Sequence, residues 1–203
     1  MHPKQQINRR ALNAGFHAIE DQERSDRLIL RGTPIVYDTP TLLYEWDGVK
    51  YYEIIARGAL VGADLSDFVF YFEHQGRVYA RTRNGSLKLV DSEQNASVEV
   101  ELDPNDQGHR ELYNDVKEGR LDRMSFAFIP REESFDSTTN TATVRQIKKL
   151  YDVSAVAFAA YDQTDIQARC ARWKEEKQGQ ENELTARALE RKRQEAIAYS
   201  YTF

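Results

Sequence analysis

Between Ala96 and Leu102 the chain alternates strictly: Ala96, Val98, Val100 and Leu102 are separated by Ser97, Glu99 and Glu101. A period of two sends successive side chains to opposite faces of a strand, so this segment buries one face and wets the other. A sheet with one solvated side is therefore the element around which the chain must fold. Earlier segments share its texture. Leu28-Ile29-Leu30, Pro34-Ile35-Val36-Tyr37, Leu42-Leu43-Tyr44 and residues 49–55 are rich in β-branched and aromatic residues and read as short strands. Asp47-Gly48 is a pair favoured in tight hairpin turns and makes 42–55 the clearest hairpin; Asn84-Gly85 predicts a second, between strands over 78–82 and 86–90.

Phe68 to His74 is a further strand, and Met124–Ile129 and Leu150–Phe158 are the two most apolar ones. Between these two lie a polar stretch from Glu132 to Asn140, which reads as a hairpin or exposed loop, and a short strand over 142–147. One helix is expected over about 106–118: Asp103-Pro104-Asn105-Asp106 supplies starting chemistry, Leu112 and Val116 stand at i, i+4, and Gly119 suits a left-handed cap. The fold class is thus mostly β with some α (α+β).

At 203 residues and 40% hydrophobic content the chain can build one sizeable core. Residues 1–26 carry few periodic apolar positions and read as a flexible N-terminal arm, 27–165 as the globular domain, and 166–203 as a charged helical tail interrupted at Gly179. A net charge of −5 argues against nucleic acid and anionic membrane as partners, and a protein partner fits better. No run approaches the roughly 20 apolar residues of a membrane span. The single cysteine, Cys170, permits no intramolecular disulfide and no thiolate cluster, so a reducing compartment is expected, and no metal or organic cofactor is implied.

Three residues could carry chemistry together. His74 ends the aromatic run from Phe68, Ser125 lies in Met124-Ser125-Phe126-Ala127-Phe128, and Asp152 interrupts an otherwise apolar strand. A serine hydroxyl is a poor nucleophile until a neighbouring imidazole takes its proton, and a carboxylate can fix that imidazole's tautomer. Each has a plain alternative. Ser125 could fill a tight position on a buried strand, His74 could cap a strand end, and Asp152 could pair with an arginine. Ser154, on the same face as Asp152, is the second candidate nucleophile. Glu73 should point away from His74 and is a poor partner for it. His2 and His17 lie in the arm, and His109 early in the expected helix.

The order and spacing of several segments resemble the tailed-phage prohead (capsid maturation) serine proteases, whose fold is similar to that of the herpesvirus assemblin proteases. The matching pieces are residues 52–60, His74, residues 81–89, residues 116–128, residues 151–156, Ala160-Tyr161 and Thr164, so the resemblance covers about 27–169. It implies a closed or nearly closed, mostly antiparallel β-barrel flanked by helices. It also implies a serine endopeptidase that works inside the immature viral capsid, assembled in the host cytoplasm, and cleaves scaffold or the capsid protein's scaffolding segment, and then itself. By position His74 is the base, Ser125 the nucleophile and Asp152 stands where the herpesvirus enzymes have a second histidine. The major capsid protein or a scaffold protein is the implied partner, and the herpesvirus likeness alone suggests a homodimer. Two residues depart from the pattern: Ala80 stands where glycine is usual, and Ala159 where proline is usual. Two other readings remain: a catalytically inactive capsid assembly or scaffold protein with the same barrel, and an unrelated β-barrel ligand-binding module.

Overall fold

The computed structural model describes residues 7–12, 15–19, 27–46, 48–158, 175, 178–179 and 181–194. The chain forms two compact units, Met1–Asp162 and Gln163–Phe203. Among the described residues of the first unit eleven strands build two sheets, with β1 Asn8–Leu12, β2 His17–Ile19, β3 Leu28–Val36, β4 Thr41–Trp46, β5 Val49–Ile55, β6 Val69–Phe72, β7 Gln75–Arg81, β8 Leu87–Asp91 and β9 Asn95–Leu102 preceding helix α1 (Gln107–Lys117), and β10 Arg123–Asp136 and β11 Thr141–Val156 following it. A seven-stranded sheet runs β1-β10-β11-β5-β4, with β6 on β11 and β7 on β6; a four-stranded sheet runs β2-β3-β9-β8.

The long hairpin β10–β11 organises the larger sheet. On its far edge β11 takes two different neighbours, β5 at its start (Thr141–Val144 beside Tyr52–Ile55) and β6 at its end (Asp152–Ala155 beside Val69–Phe72), both parallel. Register shifts between Ala127 and Glu133 break the β10–β11 ladder at several points, the kind of irregularity that bends a strand and increases its twist. The mostly-β, α+β and mostly antiparallel character therefore holds, but the described pairings do not close either sheet into a barrel, and β11 takes two of its neighbours in parallel. The physical reason is that β5 and β6 reach β11 through connections other than hairpins, and only a tight hairpin forces antiparallel pairing.

The period-two segment behaves as its pattern requires: β9 alternates buried and half-buried along its whole length between β3 and β8. Its buried face joins Leu30, Ile35, Phe68, Phe70, Phe126, Phe128, Val153 and the α1 residues Leu112, Tyr113 and Val116 in one core. Gly32 lets the sheets approach, since a Cβ there would lie 2.2 Å from the Met124 sulfur and 2.9 Å from the Phe16 ring. Asp106 caps α1 by accepting the His109 N–H at 3.1 Å, and Gly119, at φ 71, follows its end.

Two local expectations are revised. Strands β1 and β2 lie within the segment read as a flexible arm. Over Asn8–Arg10, the part of β1 whose burial is described, the buried positions are Asn8 and Arg10, which are polar and give no apolar signal; Arg10 forms a two-pronged ion pair with buried Glu53 and sits 5.7 Å over the Phe128 ring. Burial pushes the Glu53 carboxyl above the ordinary carboxylate range while Arg10 pulls against it. Next, Asn84-Gly85 makes no hairpin. Thr82–Asn84 form a 3-10 turn closed by Gly85 at φ 79, and the chain crosses from β7 in one sheet to β8 in the other. The polar stretch 132–140, by contrast, is the hairpin of its two expected forms, for β10 and β11 stay paired out to Asp136 and Thr141.

In the second unit residues 181–194 are helical and exposed, with an Arg187–Glu183 pair at 2.6 Å. Gly179 is itself helical, so the expected interruption there is not observed. Cys170, Ala159, Ala160, Tyr161 and Thr164 lie outside the described residues.

Candidate active site

Ser125 sits in the middle of a row of four strands: Ala11, Ser125, Ser154 and Tyr71 are successive register partners across β1, β10, β11 and β6. Direct opposition puts Ser125 and Ser154 on one face of the sheet, and Asp152, two residues from Ser154, shares it. Both faces of β10 are buried here, Ser125 being 1% and its neighbour Met124 0% exposed. The serine is a small residue on a buried strand, as its plain alternative supposed, and it also faces two polar groups.

The third residue arrives from another hairpin. Phe72 pairs with Gln75, so β6 and β7 are joined by the two-residue loop Glu73-His74, at φ 54 and 58. Two consecutive positive φ values are the pattern of a type I′ hairpin turn, normally filled by Asn-Gly. Neither residue here is glycine, and such a conformation costs on the order of 1 kcal/mol or more at each. Because β6 pairs with the end of β11, this strained tip lands beside Asp152. His74 Nδ1 lies 2.5 Å from Asp152 Oδ1, and Nε2 lies 2.5 Å from Ser125 Oγ. Thus the structure brings His74, Ser125 and Asp152 into one hydrogen-bonded chain.

With Nδ1–H donated to Asp152, Nε2 is left to accept the Ser125 hydroxyl proton, which is the arrangement an imidazole needs to act on a serine. The acid has a second donor, since Ser154 Oγ donates to Asp152 Oδ1 at 2.8 Å and lies 3.2 Å from His74 Nδ1. Ser154 therefore orients the carboxylate rather than presenting its hydroxyl to the Nε2 side, which counts against it as nucleophile. The partners of Asp152 are this histidine and serine, in place of the arginine considered from sequence.

Glu73 is the residue the sequence reading undervalued. In a continuing strand it would point away from the site, but the turn ends the alternation. Its carboxylate accepts the Ala157 N–H at 2.8 Å and its own N–H donates to Ala155 O at 3.0 Å. The local signal was Gly76, the one turn former just after His74. A cleft of about 390 Å³ lies against this hairpin, lined by Phe72, Glu73, Gln75, Gly76, Arg77 and Tyr79.

A sequence profile of one protein family matches residues 17–179, most of the chain, and that family is described as caudovirus prohead serine protease. The chain belongs to this family. Neither a curated protein nor a solved structure matches it. Membership of the prohead serine proteases makes a capsid-maturation protease the general frame for the site. Of the departures, Ala80 is buried in β7 opposite Phe70, a regular strand position that an alanine suits. The other described histidines lie apart from this chain of bonds: His17 Nδ1 is 2.6 Å from Gly15 O, and His109 accepts the Asp103 N–H with its ring tilted against Tyr79, 5.2 Å between centroids. Among the described residues no group of three or more His, Cys, Asp or Glu could hold a metal ion, and no helix is long and apolar enough to cross a membrane.

Proposed function

We propose that this chain is a serine endopeptidase of prohead maturation, which cleaves scaffold protein or the scaffolding segment of the capsid protein, and itself, inside the immature capsid. Ser125 attacks the scissile carbonyl, His74 takes its proton and later delivers it to the leaving amine, and Asp152 steadies the imidazolium formed in between. The observation that carries this reading is the continuous bonding from Asp152 through His74 to Ser125 within a chain of this family.

One observation favours a second reading. Ser125 is buried, as a purely structural serine would be in a catalytically inactive assembly protein with the same fold. Intact masses decide between the two. Wild type and Ser125→Ala, each incubated alone and with the cognate capsid protein, should differ, with trimming of self or capsid protein by the wild type only. Equal trimming by both would remove Ser125 from the reaction, and no trimming by either, together with no fluorophosphonate labelling of Ser125, would favour the inactive scaffold.

A further inference from the structure

The β6–β7 hairpin that carries His74 is attached to the sheet on one side only. Strand β6 pairs with β11 over four register positions, ending at Phe72 beside Ala155, and β7 pairs with β6. The Glu73-His74 tip extends past the end of that ladder, in a backbone conformation that neither side chain favours. Left to itself such a tip would relax, and a rotation about the Glu73 backbone swings the next residue's imidazole by ångströms.

What opposes this relaxation is a pair of bonds from one residue to one strand. The Glu73 N–H donates to Ala155 O, and the Glu73 carboxylate accepts the Ala157 N–H. Ala155 and Ala157 continue the strand that presents Asp152 and Ser154. The spacing between the clamp and the acid is thus set by one continuous stretch of chain, the end of β11 and the residue that follows it, not by packing between separate elements. A carboxylate, which only accepts, suits a backbone N–H just beyond the last paired residue of that strand.

We propose that Glu73 is a positioning residue for His74: by clamping the strained turn to β11 it sets the distance from the imidazole to Asp152 and Ser125. This rests on the reading of His74 as the base, and its test separates the two. In the full chain labelled with 15N-histidine, a His74 Nδ1 proton bonded to a carboxylate gives a far-downfield NMR signal, assigned by its loss in His74→Gln. The signal should persist in wild type and in Glu73→Gln, which keeps an acceptor oxygen, and vanish in Glu73→Ala and Glu73→Gly.

Fluorophosphonate labelling of Ser125, normalised to folded protein by circular dichroism, should fall on the order of 100-fold in Glu73→Ala and stay within a few-fold of wild type in Glu73→Gln. Glu73→Gly relieves the positive φ but lacks the carboxylate, so it should label as slowly as Glu73→Ala. A Glu73→Gly that labels like wild type, a Glu73→Ala that keeps the downfield signal, or a wild type without that signal overturns the proposal. If Glu73→Ala does not fold, the Gln and Gly variants carry the same decision. A wild type that shows the signal but never labels defeats the catalytic reading and leaves the clamp to be judged by NMR alone.

Discussion

Two parts of the candidate site are held in place by different physics. Ser125 and Asp152 belong to β10 and β11, paired strands with buried faces, so backbone ladders and core packing fix them before any side chain of the site meets another. His74 belongs to a two-residue turn in a disfavoured conformation, fixed by its bonds to Asp152 and Ser125 and by the Glu73 clamp. The strand-held half is rigid through the fold itself, and the turn-held half is rigid through a few polar contacts. Damage to the first should therefore appear as lost stability. Damage confined to the chain of bonds should appear as lost turnover in a protein that still folds.

The sharpest check is Ser125→Ala. It should lower hydrolysis by on the order of a million-fold while the melting temperature changes little, since it removes one hydroxyl without opening a large cavity. A large loss of stability would mean that the hydroxyl also holds the fold together. Asp152→Asn keeps the shape but loses the charge that favours the imidazolium, so turnover should fall by about 10⁴-fold with the chain still folded. Retained turnover there would place the acid's function elsewhere. Both are read by rates of peptide or capsid-protein cleavage alongside thermal melting.

Variants away from the bonds should do the reverse. Arg10→Ala leaves Glu53 buried without its guanidinium and should cost about 3–5 kcal/mol in denaturant titration, loosening β1 from the strand that carries Ser125. A loss under 1 kcal/mol would show that β1 matters little to that half. Gly32→Ala forces a methyl against Met124 and Phe16 and should cost about 1–3 kcal/mol, with turnover per folded molecule unchanged.

The smallest effect concerns acid. The Arg77 guanidinium, helped by the His109 N–H, holds the Asp106 carboxyl down at about 2, and burial depresses His109. Both shifts are downward, so each favours the folded state above the unfolded pKa and loses that contribution as pH falls. For His109 the loss begins below roughly 6.5, and for Asp106 it runs from roughly 4 down to about 2. Asp106→Asn, still a competent cap, should melt slightly below wild type at pH 6, and the gap should close by pH 2. A gap that stays constant would mean that the charge on Asp106 adds nothing to α1.

Much of this architecture was legible because it is local. The alternation of β9, the antiparallel pairing of β4 with β5, and helix α1 with its Asp106 cap all follow from side-chain periodicity and turn chemistry within a few residues. Ser125 and Asp152 were legible for the same reason, as polar positions in two apolar strands. Strand β1 was not, because its buried face carries Asn8 and Arg10 and its stability comes from Glu53, 43 residues from Arg10. Likewise Asn84-Gly85 has hairpin composition, yet β7 finds its partner in β6 and β8 in β9, a choice that no local pattern records.

The amino-acid sequence by itself determined the mostly-β class, the strand faces, the family and the three residues worth watching. Tertiary structure alone decided that β11 would take β5 and β6 in parallel, that neither sheet would close into a barrel among the described residues, and that a turn rather than a strand end would present His74. The physical reason is range. Periodicity and turn preference act between neighbours in the chain, whereas which edge a strand pairs with, and which residue a buried charge or a strained turn leans on, are settled only when distant segments meet.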